Sequence, residues 1–133
     1  MTNYLLDTSI CIYLFRGRKE VAEKLQAISS DNCFISDVTL AELYYGAYKS
    51  ASPEKNKRLI DSLVKHICVV PLQEYAKTYA QEKNILRQSG TLIEDFDLLI
   101  AAAAKYRGYT LVTDNLKHFE RMQGLTIENW INR

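Results

Sequence analysis

"YLLDTSICIYLFRG", residues 4–17, is the stretch on which the reading of the fold turns. Tyr4-Leu5-Leu6 is a short apolar run that stops at Asp7, as a buried first strand does. Ile10 to Phe15 then takes up helical spacing and ends near Gly17, so a carboxylate stands where strand gives way to helix. The same alternation runs on through the chain. Val21, Leu25 and Ile28 keep a helical spacing, and Cys33-Phe34-Ile35 reads as a second strand with Ser36 or Asp37 as the next N-cap. The helix after it carries Leu40, Leu43, Tyr44 and Ala47 on one face, with Glu42 to one side.

The spacing further predicts a helix over 53–65 opened by Ser-Pro, a strand over 67–72, and an amphipathic helix over 75–88 that stops at Gly90. An Ala-rich helix over 96–106 closed by Gly108, a strand over 110–113 and a short last strand over 125–127 complete the series. Strands alternating with helices predict an α/β sandwich around a small, mostly parallel sheet. Sheets of that kind take ligands just beyond the carboxyl ends of their strands, where Asp7 and Asp114 both fall.

A chain of 133 residues, 47% hydrophobic, is long enough to bury a core and is expected to form one domain over residues 1–133. The net charge of +1 excludes a protein that is basic all over and leaves room for a local basic patch. The longest apolar run, Leu98 to Ala104, is far short of the ~20 residues of a membrane span. No basic segment followed by a long apolar one opens the sequence, so no membrane and a cytoplasmic location are expected. Cys11, Cys33 and Cys68 are odd in number and flanked by apolar residues, and are expected as buried reduced thiols rather than a zinc site or disulfides.

In "LIEDFDLLIAAAA", residues 92–104, Glu94, Asp95 and Asp97 crowd against the most apolar run of the chain. Acidic residues at a helix start complement its dipole, which accounts for some of them. Asp97 belongs with Asp7, Glu42 and Asp114, each at a strand end or early in a helix with an apolar face. Singly, each has an ordinary use: Asp7 caps a helix, Glu42 lies on a helix flank, and Asp114-Asn115 is turn chemistry. Together they require four coincidences at one sheet edge. Carboxylates so gathered repel unless a cation neutralises them, and an oxygen-only set suits Mg²⁺ or Mn²⁺.

"YLLDTSICIYLFRG", "ISDVTLAELYYGA", "DFDLLIAAAAKYRG" and "LVTDNLKHFERMQGLTIENW" resemble, in order, the motifs of PIN-domain proteins, and among these the VapC-type toxins of toxin–antitoxin systems. The resemblance covers Tyr4 to Trp130. It implies a PIN-like three-layer α/β/α sandwich and a Mg²⁺- or Mn²⁺-dependent endoribonuclease, a toxin hydrolase acting on RNA. By motif, Asp7 and Asp97 are implied as metal ligands, Glu42 completes the acidic pocket, and the fourth position is Asp114 or Asn115. Thr8, Ser9 and Thr113 are implied to hold carboxylates or metal-bound water by hydrogen bonds. A cognate antitoxin and a homodimer are implied as partners.

Cationic guides for RNA are sought in Arg16, Arg18, Lys19, Lys105, Arg107, Lys117 and Arg121, each of which has a solvated surface as its ordinary use. His66 and His118 are read as structural or exposed. Tyr44, Tyr45 and Tyr48 exceed what one helix face buries, and interfaces favour tyrosine. Two other functions compete with RNA cleavage: a non-catalytic PIN-like binding module, and a DNA-directed nuclease using the same site. An aspartyl-phosphate domain is disfavoured, because "LLDTSIC" carries one carboxylate after the first strand where that chemistry needs a pair.

Overall fold

A computed structural model describes residues 2–131. Five short strands, β1 (Tyr4–Leu6), β2 (Cys33–Ser36), β3 (Cys68–Val70), β4 (Thr110–Val112) and β5 (Ile127–Glu128), form one sheet in the order β3-β2-β1-β4-β5. Every neighbouring pair is parallel. The chain moves outward from β1 through β2 to β3, then crosses to the other side of β1 for β4. The direction of winding therefore reverses between β1 and β4, where α/β sheets open a crevice at their carboxyl edge.

Among the described residues, seven α-helices cover the two faces: α1 (Thr8–Phe15), α2 (Lys19–Ala27), α3 (Asp37–Tyr48), α4 (Pro53–His66), α5 (Leu72–Gln88), α6 (Asp95–Arg107) and α7 (Leu116–Phe119). Alternation along each strand assigns the faces. Leu5 and Leu111 point into a core shared with Tyr75, Leu86, Leu98 and Phe119. Leu6 and Val112 point into the opposite core with Ile10, Leu43, Ile60 and Trp130. Among the described residues, no helix is long and apolar enough to cross a membrane.

The expected elements are present with shifted ends: α1, α4, α5 and α6 run longer than expected, β3 and β4 run shorter, and the last strand lies at Ile127–Glu128 rather than 125–127. The third strand spans three residues rather than 67–72, because Leu72 already begins α5. Its cap comes from another element: Asp37 Oδ2 accepts from Leu72 N–H at 2.7 Å, and Asp37 Oδ1 accepts from the Tyr75 hydroxyl at 2.8 Å. Ser36, not Asp37, caps α3, accepting from Thr39 N–H at 3.1 Å. Cys11 and Cys33 are buried as expected, but Cys68 is exposed. It opens β3, the strand at the edge of the sheet, so apolar sequence neighbours do not enclose it.

The Ala-rich helix α6 is the most deeply set, packing on β1, β4, α3 and α5, with Ala101 to Ala104 fully buried. Alanine lets helix and sheet approach closely, and Gly108, at φ 71°, ends the helix in the left-handed conformation that favours glycine. Arg107 in the last turn ties α6 to α5 through two bonds to Glu74, at 2.7 and 2.8 Å. Lys105 bonds Glu82 of α5 and the Gln123 carbonyl.

Ala102→Leu adds bulk at a wholly buried position and is expected to cost about 1–3 kcal/mol, read as a lower urea midpoint at unchanged slope. The Arg107 guanidinium holds the Glu74 carboxyl below its usual 4.5, so this pair contributes stability above pH 4.5 and loses it as pH falls through the lowered value. Glu74→Gln removes that contribution. Its unfolding midpoint is expected to fall less steeply than the wild type's on acidification below pH 4.5.

Candidate active site at the carboxyl edge of the sheet

Leu6 pairs with Val112 in register, and the Asp7 N–H donates to the Val112 carbonyl at 2.8 Å. Asp7 and Thr113 therefore leave the sheet side by side at the reversal point. Asp7 is the N-cap of α1, with extended backbone and its Oδ1 accepting from Thr8 N–H at 2.8 Å. Its Oδ2 accepts from the hydroxyls of Thr113 at 2.7 Å and Ser9 at 3.2 Å. The capping use and the site position are thus one geometry. The side chain is buried, 5% exposed. Burial pushes its carboxyl above the ordinary range and the charge of Asp97 adds to this, while the bonds from Thr113, Thr8 and Ser9 oppose it.

Glu42 stands on α3, facing the first turn of α1. The Thr8 hydroxyl donates to Glu42 Oε1 at 2.7 Å and lies 3.1 Å from the Thr39 hydroxyl. Burial raises the Glu42 carboxyl, the Thr8 bond opposes, and the charges of Asp7, Asp97 and Glu94 raise it further. Asp97 sits in the first turn of α6, where its charge reaches both Asp7 and Glu42. Three expected residues thus share one electrostatic environment. Among the described residues, neither Asp7 nor Glu42 forms an ion pair with Lys or Arg. No three His, Cys, Asp or Glu side chains among them are gathered tightly enough to hold an ion between them.

The fourth position is arranged differently. Asp114 Oδ2 accepts from the Tyr13 hydroxyl at 2.9 Å, and its charge is felt at Arg18. Its carboxylate is engaged with α1. Asn115 is the exposed N-cap residue of α7, and its N–H donates to Thr113 Oγ1 at 3.0 Å. The neighbours of Asp97 also divide. Asp95 pairs with Lys83 and accepts from the Tyr79 hydroxyl, both at 2.8 Å, so it ties α6 to α5. Glu94, in the N-cap position without a capping bond, faces a groove together with Glu42.

His118 is the residue that the sequence reading set aside. Its Nδ1 meets Asp97 Oδ2 at 3.0 Å. The contact joins positions 21 apart in the chain, so no local pattern announces it. The strand-end rule, applied to the residues just after β4, is the signal that points to it.

Most of the candidate basic guides are occupied elsewhere. Lys105 and Arg107 lie in the last turn of α6, Arg107 about 15 Å along the axis from Asp97. Both are paired with α5 glutamates. Arg18 bonds Glu20, Lys19 pairs with Glu23, and Arg121 donates to the Leu92 carbonyl. Arg16 lies in a groove of about 900 Å³ bounded also by Thr8, Phe15, Glu42, Tyr45 and Phe96. Thr8 and Glu42 belong to both groove and acidic edge, so the two are continuous. Tyr45 and Tyr48 are about two-thirds exposed on α3.

Comparison with known proteins finds relatives over nearly the whole chain. Residues 4–125 match the PIN domain family. The chain is 38% identical over 133 residues to ribonuclease VapC2 of Haemophilus influenzae, covering 98% of this chain and 100% of that one. It is 37% identical over 131 residues to the tRNA(fMet)-specific endonuclease VapC of Shigella flexneri, covering 98% and 99%. The fold superposes on DNA-bound VapBC from Salmonella typhimurium with a TM-score of 0.92 at 34% identity, covering 98% of this chain and 100% of that one. The family match over residues 4–125, the whole-chain identity and the superposed fold leave one conclusion: the chain belongs to the PIN-domain family, as a member of the VapC type.

Proposed function

We propose that this chain is a Mg²⁺- or Mn²⁺-dependent endoribonuclease, the toxin of a toxin–antitoxin pair, built as one PIN-like domain over residues 1–133 and acting in the cytoplasm. The observation that carries this reading is the acidic edge, where the charge of Asp97 raises the proton affinity of Asp7 and the charges of Asp7 and Asp97 raise that of Glu42, with no Lys or Arg ion-paired to Asp7 or Glu42 among the described residues. Relatives named as a ribonuclease and a tRNA endonuclease support the choice of RNA.

The donor chemistry fits a hard divalent cation. Two carboxylates completed by water and substrate phosphate are a common Mg²⁺ set, so a centre of Asp7 and Asp97 needs no third protein ligand. A bound cation supplies Lewis-acid neutralisation and a water of lowered pKa. The chain's own residues do the rest. Thr113, Ser9 and the Thr8 N–H hold Asp7 in one rotamer, and the Asn115 N–H orients the Thr113 hydroxyl. Thr8 positions Glu42, whose raised carboxyl suits it to take up a proton from the attacking water. Asp114, bonded to Tyr13, adds negative charge to the edge from beyond β4.

An antitoxin partner is proposed because the solved neighbours are VapBC assemblies. The groove beside Glu42, with Tyr45 and Phe96 exposed on its walls, has the apolar lining that a protein segment requires. Tyr48, exposed on the same helix, offers contact for a second copy of the chain. Light scattering of the chain alone and with antitoxin separates the two uses of α3.

On a mixed RNA pool, including transfer RNA, the wild type is expected to cleave with Mg²⁺ or Mn²⁺ and to stop on chelation. Asp7→Asn and Asp97→Asn are expected to lose about 10²-fold or more in rate. Cleavage surviving both substitutions or the chelator would sink the mechanism. Cleavage of a parallel DNA pool instead would identify a DNA-directed nuclease, and metal binding without cleavage of either would identify a binding module.

A further inference from the structure

The loop and short helix after β4 touch both carboxylates assigned to the cation. At its start, Thr113 donates to Asp7 Oδ2 at 2.7 Å. Five residues later, His118 Nδ1 lies 3.0 Å from Asp97 Oδ2. The segment between them is tied down at each end. Thr113 is fully buried and accepts from the Asn115 N–H, and Phe119, also fully buried, plugs α7 into the core that contains Leu98 of α6. His118 is thus carried by an anchored turn, although its side chain is 46% exposed. An ionised carboxylate only accepts hydrogen bonds, so the ring nitrogen that meets Asp97 carries the proton. Asp97 Oδ1 has no hydrogen-bond partner among the described residues.

We infer that His118 is a positioning residue of the acidic centre: its Nδ1–H on Asp97 Oδ2 holds that carboxylate in one rotamer and leaves Oδ1 as the oxygen for the cation. This rests on the proposed metal centre and adds to it a residue that touches neither cation nor substrate. Without the bond, the Asp97 side chain, a quarter exposed, samples other rotamers and must be ordered when the ion binds. Outer hydrogen bonds of this kind set the orientation and basicity of a ligand. The arrangement also links the two ligands mechanically, since one anchored segment of six residues, 113–118, orients Asp7 at one end and Asp97 at the other.

The test measures Mn²⁺ binding to the full chain without RNA, from the paramagnetic resonance signal of free Mn²⁺. Thermal melting in chelator serves as the control for folding. His118→Ala is expected to weaken Mn²⁺ binding about 10–100-fold with little change in the chelator melt. His118→Asn places an amide N–H close to where Nδ1–H stands and is expected to restore most of the loss. His118→Gln, whose amide reaches farther, is expected to restore less. Equal affinity of wild type and His118→Ala overturns the inference, as does equal affinity of the Asn and Gln variants. Should His118→Ala fail to fold, the Asn and Gln pair decides alone. Asp97→Asn separates this from the underlying reading. If it binds Mn²⁺ like the wild type, the metal centre itself fails. If it loses binding while His118→Ala does not, only the role of His118 fails.

Discussion

The parallel register of β1 on β4 sets Leu6 beside Val112, so the next residues out, Asp7 and Thr113, leave the sheet as neighbours. Everything at the acidic edge depends on that alignment. A slip of one residue would turn Leu6 and Val112 toward the wrong core, so hydrophobic burial on both faces enforces the register. Asp7 then meets the Thr113 hydroxyl without any adjustment of its own. The placement of Asp7 against Thr113 is in this sense a by-product of apolar packing.

Against this order stands an electrostatic cost. Burying Asp7 near Glu42 and Asp97 raises the proton affinity of the first two, which opposes folding of the ionised chain. Hydrogen bonds from Thr8, Ser9 and Thr113 offset part of it. What remains is uncompensated negative charge, which the proposed cation would neutralise. The helix bearing Asp97 tolerates its place there because alanine fills its buried length, and because Asp95 and Arg107 join it to α5 through ion pairs at its two ends.

The pattern of strand, carboxylate and helix was legible in "YLLDTSICIYLFRG" because period and apolar runs are local properties. Glu42 and Asp97 were placed by the motifs they stand in, "AELYYG" and "DLLIAA", each on a helix with an apolar face. What could not be read were contacts that depend on how distant elements meet. Asp37 caps α5 rather than α3, since Leu72 lies over it in space. Lys105 and Arg107 looked close to Asp97 in sequence, yet helix length carries them to the far end of α6. Asp114 turns to Tyr13, and His118 turns to Asp97, through contacts spanning 101 and 21 residues. Cys68 sits among apolar neighbours but at the start of an edge strand, which no hydropathy pattern distinguishes from a central one.

The bond from Thr113 to Asp7 closes over 106 residues, joining the end of the first strand to the end of the fourth. Contacts that distant form late, because the intervening chain must be ordered before they can be made. During synthesis, Asp7 and Glu42 emerge before α6 and β4, the helix and strand that complete their surroundings. A growing polypeptide therefore carries the acidic residues without the acidic centre.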